Sequence, residues 1–334
     1  MKRGLLSAVG ETPLVLLEKV YSELPFRLFA KLEALNPGGS IKDRPARTIL
    51  EEAIACGRVS PETVIIESSS GTMGVGLAQA CCYFGLRLIC VVDAKASRQN
   101  VKILEAYGAE IDFVADPDPA TGEFLQARLN RVQQLLGEID NAYWPNQYAN
   151  TSNSASHYRE TMREVATALD GSVDFVFCAT STCGTVRGCG EYVRDHQMAT
   201  RVVAVDALGS LIFSTEKGKR FFPGMGAGLR PPLCDLSLIH DVILVDDLEC
   251  VAGCRRLVLR EGILAGASSG GLIAAVDRLR DKIPPSSSCV VILPDRGERY
   301  LDTVYSDDWV RRNLGEVPEP VARESFNACV PMTY

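Results

Sequence analysis

Four short segments carry residues whose types and spacing suit them to chemistry. The first is Asn36-Pro37-Gly38-Gly39-Ser40-Ile41-Lys42-Asp43-Arg44-Pro45, a Pro/Gly turn leading into a predicted helix from Ala46. A lysine at the end of a tight turn can be buried, and burial lowers its pKa toward the neutral amine that Schiff-base chemistry needs. The same residues also suit a surface loop. The second is Glu67-Ser68-Ser69-Ser70-Gly71-Thr72-Met73-Gly74. Free N–H groups at a helix start, joined by hydroxyls, hold a carboxylate or phosphate, whereas an N-cap alone would use one serine. The third, Ser181-Thr182-Cys183-Gly184-Thr185, follows a predicted strand and precedes a predicted helix. It is a phosphate cradle without the lysine of a Walker A loop, which suits a cofactor monoester, or else it is an ordinary strand–helix turn. The fourth, Gly266-Ala267-Ser268-Ser269-Gly270-Gly271, reads as a loop between helical segments, with hydroxyls suited to a heterocycle nitrogen.

Elements that position these segments follow from the hydrophobic period. Strands are predicted over 63–67, 86–92 and 110–114, separated by helices over 73–83 and 97–107 that stop at Gly85 and Gly108, the second capped by Ser97. A helix over 124–136 follows. The alternation resumes with strands over 173–178, 201–205, 242–245 and 290–293 and helices over 186–194, 247–261 and 271–279. Such alternation predicts an α/β fold of two three-layer domains with parallel-rich sheets, with ligand sites at the carboxyl ends of the strands. The uncharged polar stretch Asn146 to Ser156 reads as a loop or hinge. We place the seam there, giving a smaller domain over 36–150, a larger one from 1–35 plus 151–315, and a surface tail over 316–334.

Composition bounds the function. The 334 residues are 46% hydrophobic and 23% charged, with 35 Lys and Arg against 42 Asp and Glu, a formal charge of -7. That balance offers no footprint for nucleic acid. No stretch approaches the roughly 20 apolar residues of a membrane span, and the segment after Lys2-Arg3 is too short for a secretory leader. Twelve cysteines are diluted along the chain, several inside apolar runs where a reduced thiol acts as a small hydrophobe. A reducing cytoplasm is expected. Cys250 and Cys254 are at helical spacing without a second pair to complete a metal site, so no metal is expected.

In their joint order these segments resemble fold type II pyridoxal-phosphate enzymes, the cysteine synthase and cystathionine β-synthase group with a tryptophan-synthase-β-like fold, over about residues 5–305. Val9-Gly10-Glu11-Thr12-Pro13-Leu14 is similar to that family's opening motif. The resemblance implies pyridoxal 5'-phosphate on Lys42, a homodimer, and a substrate carboxylate held by Ser69, Ser70, Gly71 and Met73 with Gln147. It puts Ser181, Thr182, Cys183, Gly184 and Thr185 on the cofactor phosphate, Thr72 at the ring hydroxyl, Ser268 at the pyridine nitrogen, and Gly226 in a glycine segment beside the site. A one-residue slip would promote Ser269. Thr72 replaces the family's usual asparagine, and Ser181 and Cys183 replace usual glycines.

A narrower resemblance lies in Pro294 to Trp309, Glu67 to Gly71 and Pro223 to Gly228. These segments are similar to family members that make the precursor of 2,3-diaminopropionate for siderophores of the staphyloferrin B type. That resemblance implies O-phospho-L-serine and L-glutamate as substrates, β-replacement of phosphate by the glutamate amine, and Lys42 as the base that moves the α-proton. Two glutamate carboxylates need further donors, for which Tyr148 and Arg128 are the candidates. Rival readings are a cysteine synthase using O-acetylserine or O-phosphoserine with sulfide, a serine/threonine dehydratase, and a non-catalytic ligand sensor on the same fold.

Overall fold

The computed structural model describes residues 3–21, 23–69, 71–94 and 96–319. Among these residues ten strands form two sheets: β1 (Leu14–Leu16), β2 (Arg27–Leu32), β3 (Val64–Ser68), β4 (Arg87–Asp93), β5 (Glu110–Val114), β6 (Ala142–Tyr143), β7 (Phe175–Ala179), β8 (Arg201–Ala207), β9 (Asp241–Val245) and β10 (Ser288–Leu293). The six-stranded sheet has the order β1-β2-β10-β7-β8-β9 and the four-stranded sheet β5-β4-β3-β6. Every pairing is parallel except β1 with β2.

Both faces of each sheet are covered, which is why the strands read as continuous apolar runs. Phe175, Phe177, Val203 and Val205 face one core layer, while Val176, Cys178, Val202 and Ala204 face the other. In the smaller sheet Ile65, Leu88, Cys90 and Val92 point one way and Val64, Ile66, Ile89 and Val91 the other. Helices α1 (Asp43–Ala55), α2 (Thr72–Phe84), α3 (Arg98–Ala106) and α4 (Phe124–Glu138) accompany the four-stranded sheet. Ser97 caps α3 by accepting from the Asn100 N–H at 3.1 Å, and Gly85 ends α2 at φ 71°.

Three sequence expectations need correction. Residues 14–32 had no assigned element, yet β1 and β2 pair there. The β2 pattern is interrupted by Lys31, which is buried because its amine meets Glu164 at 2.6 Å. The stretch read as a loop over 146–156 contains a helix, α5 (Thr151–Ser156), which runs on through a π-helical turn into α6 (Arg163–Ala168). Its polarity misled because it is buried without an apolar stripe: Ser154 and Ser156 donate to carbonyls three residues back, and Asn153 donates to the Gln147 carbonyl at 2.8 Å. Small residues are needed there because α7 (Gly184–Asp195) packs so closely that a Cβ on Gly188 would lie 2.3 Å from the Ser154 carbonyl. The fourth motif is likewise no loop. After α8 (Asp247–Arg256), Gly266 caps α9 (Ala267–Leu279), and Gly270 lets α9 touch α8, since a Cβ there would stand 1.9 Å from the Cys250 carbonyl. A last helix, α10 (Asp307–Leu314), was not anticipated; of the expected tail only 316–319 lies within the described residues.

A buried ion cluster joins the sheets beside the entry of α1. The Arg44 guanidinium, fully buried, donates to Glu33 at 2.7 and 2.8 Å and to Glu164 at 2.6 and 2.8 Å. Burial alone would raise the Glu164 carboxyl, but the Arg44 and Lys31 hydrogen bonds and charges hold it down at about 2. Arg44→Met should therefore cost about 3–5 kcal/mol in urea unfolding, because it strands buried carboxylates. Glu164's contribution is present above its ordinary value near 4.5 and should be lost as pH falls toward 2, measurable as an acid limb in the melting temperature.

Candidate active site

Lys42 is held where the two sheets meet. Gly39, at φ 84°, makes the left-handed turn that only glycine takes without strain. The Gly38 N–H donates to the Asp43 carboxylate, and Arg299 donates to the Gly38 carbonyl at 2.7 Å. The next residues lock onto the chain leaving β10: the Ile41 N–H donates to the Pro294 carbonyl at 2.7 Å, and Ser40 bridges Asp295. The Lys42 amine lies deep in the molecule yet faces a cavity, so its side chain is only half-buried. Burial lowers its pKa from 10.5 to about 8, against the pull of Cys183 and Asp295. Beneath it His157 accepts or donates at 3.0 Å to Thr161 and at 3.3 Å to Thr185, its own pKa pushed well down by burial and by the charges of Lys42 and Arg44.

Two adjoining spaces share Lys42, Thr72 and Gly224 as walls. The larger, of about 240 Å³, is lined by Ser69, Gly71 and Met73 at the start of α2, by Arg128 on α4, by Gln147 and Tyr148, and by Ser181 and Gly226. Ser69 Oγ accepts from the Gly74 N–H at 2.9 Å, fixing the loop, while Gln147 donates its amide to the Ser68 carbonyl at 3.2 Å. Beneath them the buried Glu67 accepts from Trp144, Ser68 and Gln147, and burial raises its carboxyl to about 7. Arg128 is only slightly exposed and ion-pairs with Asp93 at 2.9 Å. Burial also raises Tyr148's phenol, near Arg128.

The smaller space, of about 30 Å³, is lined by Thr185, Ser268 and Asp295. Asp295 accepts from Tyr300 at 2.8 Å, and burial raises it to about 6. Thr182, Cys183 and Gly184 do not line either space. Thr182 turns inward, accepting from Asn153 at 3.2 Å and the Gly184 N–H at 3.4 Å. Cys183 stands at φ 64°, which explains why a glycine suits this position, and packs with Cys234; their hydrogen bond pushes the Cys183 thiol up and the Cys234 thiol down. Ser269, the alternative to Ser268, is fully buried with its hydroxyl unpartnered, away from both spaces. Ser70 lies outside the described residues.

Sequence reasoning passed over Asp93, Glu123 and Arg220, which line the larger space, and gave Asp295 no role. The basic pair Lys219-Arg220 just before the glycine segment was the available signal for the last cation. Asp93 and Glu123 carried none, because acidic residues at strand ends and helix starts are common on any α/β surface.

The sequence of residues 5–295 matches the family model described as pyridoxal-phosphate dependent enzyme. The chain belongs to that family. A curated relative, N-(2-amino-2-carboxyethyl)-L-glutamate synthase of Ralstonia nicotianae, is 47% identical over 310 residues, covering 93% of this chain and 91% of that protein. Among solved structures, O-ureido-L-serine synthase superposes with TM-score 0.85 at 28% identity, over 92% of this chain and 98% of the other. A hydrogen sulfide-producing enzyme from Fusobacterium nucleatum gives 0.84 at 30% identity, over 90% of this chain and all of the other. O-acetylserine-dependent cystathionine β-synthase of Helicobacter pylori gives 0.84 at 29% identity, over 90% and 98%.

The protein is thus a pyridoxal-phosphate-dependent enzyme of fold type II, and the residues present suit the cofactor. The residues that would hold it are Lys42, with its pKa lowered by burial, for the aldehyde, the start of the twelve-residue helix α7 with the Thr185 hydroxyl for the phosphate, and the Ser268 hydroxyl for the ring. Only the neutral amine attacks the aldehyde, so cofactor uptake by the apoprotein should accelerate with pH and level off above about 8. Stopped-flow absorbance checks this, and Lys42→Ala should abolish the visible band.

Proposed function

We propose that this enzyme replaces the phosphate of O-phospho-L-serine by the amine of L-glutamate, giving N-(2-amino-2-carboxyethyl)-L-glutamate and phosphate. The observation that carries this reading is the 47% identity to a synthase of that name across nearly the whole of both chains. The cavity supports it chemically. It is lined by three basic side chains, Lys42, Arg128 and Arg220, besides hydroxyls, which suits substrates that are all anionic.

Bound pyridoxal phosphate supplies the electron sink that labilises bonds at Cα and lets a β-substituent depart. The protein supplies the rest. The Ser69 loop and the N-terminus of α2 hold the donor's carboxylate, with Gln147 at its edge. The Lys42 amine, neutral above about 8, takes the proton from Cα and later returns it there. Ser268 offers the ring a neutral hydroxyl rather than a carboxylate, which favours elimination over a long-lived carbanion. Departure of phosphate before glutamate adds makes this a double displacement, with glutamate oriented by Arg128, Tyr148 and Ser181.

In this reading residues 36–150 form one unit and 1–35 with 151–315 another, the cofactor lying between them. The enzyme works as a homodimer in the cytoplasm, a compartment supported by the free state of all eleven described cysteines. Its product is the precursor of 2,3-diaminopropionate for siderophore assembly.

Purified holoenzyme should release about one equivalent of phosphate per site from O-phospho-L-serine alone and turn over continuously only when L-glutamate is present, with ping-pong kinetics. Sulfide-dependent cysteine formation, pyruvate formation, or no turnover would instead point to the cysteine synthase, dehydratase or sensor readings. Arg128→Ala should raise the KM for glutamate about 10- to 100-fold while leaving the cofactor's visible band in place.

A further inference from the structure

Five charged side chains line the larger cavity: Lys42, Asp93, Glu123, Arg128 and Arg220. Asp93 pairs with Arg128, and Glu123 pairs with Lys217. Lys42 is taken up by the cofactor. Arg220 remains: among the described residues no ion pair reaches its guanidinium, and its Nε is buried without a hydrogen-bond partner. The group is not loosely placed. The neighbouring Phe221 N–H donates to Asp247 at 3.1 Å, and the Lys217–Glu123 contact fastens the same loop to the start of α4. Gly226, at φ 81°, leaves the room the guanidinium occupies, since a Cβ there would stand 2.5 Å from Nη1. Asp206 and Asp247 sense its charge but do not pair with it, and burial raises both carboxyls.

A half-buried guanidinium with no counter-charge in contact is costly unless an anion completes it, and its planar fork fits carboxylate and phosphate oxygens. The start of α7, which suits the cofactor's phosphate, opens through Thr185 to the smaller space, which Arg220 does not line. We propose that Arg220 binds a substrate oxyanion through charge-assisted hydrogen bonds, either the donor's phosphate or the acceptor's distal carboxylate. This rests on the β-replacement reading for the identity of the substrates, but not for the existence of the site.

Calorimetric titration of holoenzyme with inorganic phosphate and with L-glutamate decides it, comparing the natural protein with Arg220→Gln and Arg220→Lys. Arg220→Gln should weaken one of the two ligands about 10- to 100-fold, with Arg220→Lys losing less and the melting temperature unchanged. Loss confined to phosphate assigns the donor's leaving group; loss confined to glutamate assigns the acceptor's carboxylate. Equal affinities in the natural protein and both variants, or no binding of either ligand to any of them, overturns the proposal. Turnover is measured separately: without glutamate-dependent phosphate release the β-replacement reading fails, while the titration still decides Arg220.

Discussion

Arg44 lies two residues beyond Lys42 with none of its side chain exposed, and its guanidinium is shared between Glu33 and Glu164. One carboxylate follows β2 in the six-stranded sheet and the other lies on α6, so a single buried cation fixes where α1 begins. The Lys42 carbonyl accepts the first helical bond of α1, from the Ala46 N–H at 3.0 Å. Where Arg44 sits therefore decides where the Lys42 amine points. The cluster is satisfied on every side, with Thr12, Lys31 and Glu160 completing it, and that satisfaction makes so much buried charge tolerable.

Chemistry then follows from burial more than from unusual residues. Lys42, Glu67, Asp295 and His157 are all displaced chiefly by desolvation, each toward its neutral form. A neutral amine can act as nucleophile and base, and burial of the lysine outweighs the pull of Asp295 that favours the ammonium form. The starts of α2, α7 and α9 border the two spaces through Thr72, Thr185 and Ser268, and fixed dipoles and hydroxyls of that kind can meet an anion without reorganisation. Of the basic side chains, Lys42 borders both spaces, whereas Arg128 and Arg220 line only the larger one.

Most of the sheet strands were legible because both faces of each sheet are covered, which writes continuous apolar runs into the sequence. Ser97 and Gly85 marked helix ends through local hydrogen bonding and a positive φ, and these too need no tertiary information. The failures share one cause. Residues 151–156 and 267–271 form helical segments that pack through serine, asparagine and glycine, because α5 on α7 and α8 on α9 approach too closely for larger side chains. Close approach is a property of two segments, so neither segment's own period reveals it. Residues 14–32 escaped for a related reason, since Lys31 looks solvated until Glu164 is brought to it.

The sequence by itself determined the α/β class, the family and a lysine segment suited to the cofactor, because each is carried by contiguous residues whose local geometry is fixed by turns, caps and helix N-termini. Tertiary structure alone decided which of Ser268 and Ser269 faces the smaller space, that Cys183 turns away from both spaces, and that Asp93 faces Arg128 while Arg220 is left facing the cavity. These are pairings between residues far apart in the chain, and the charge left over after pairing depends on where every other charge has been placed.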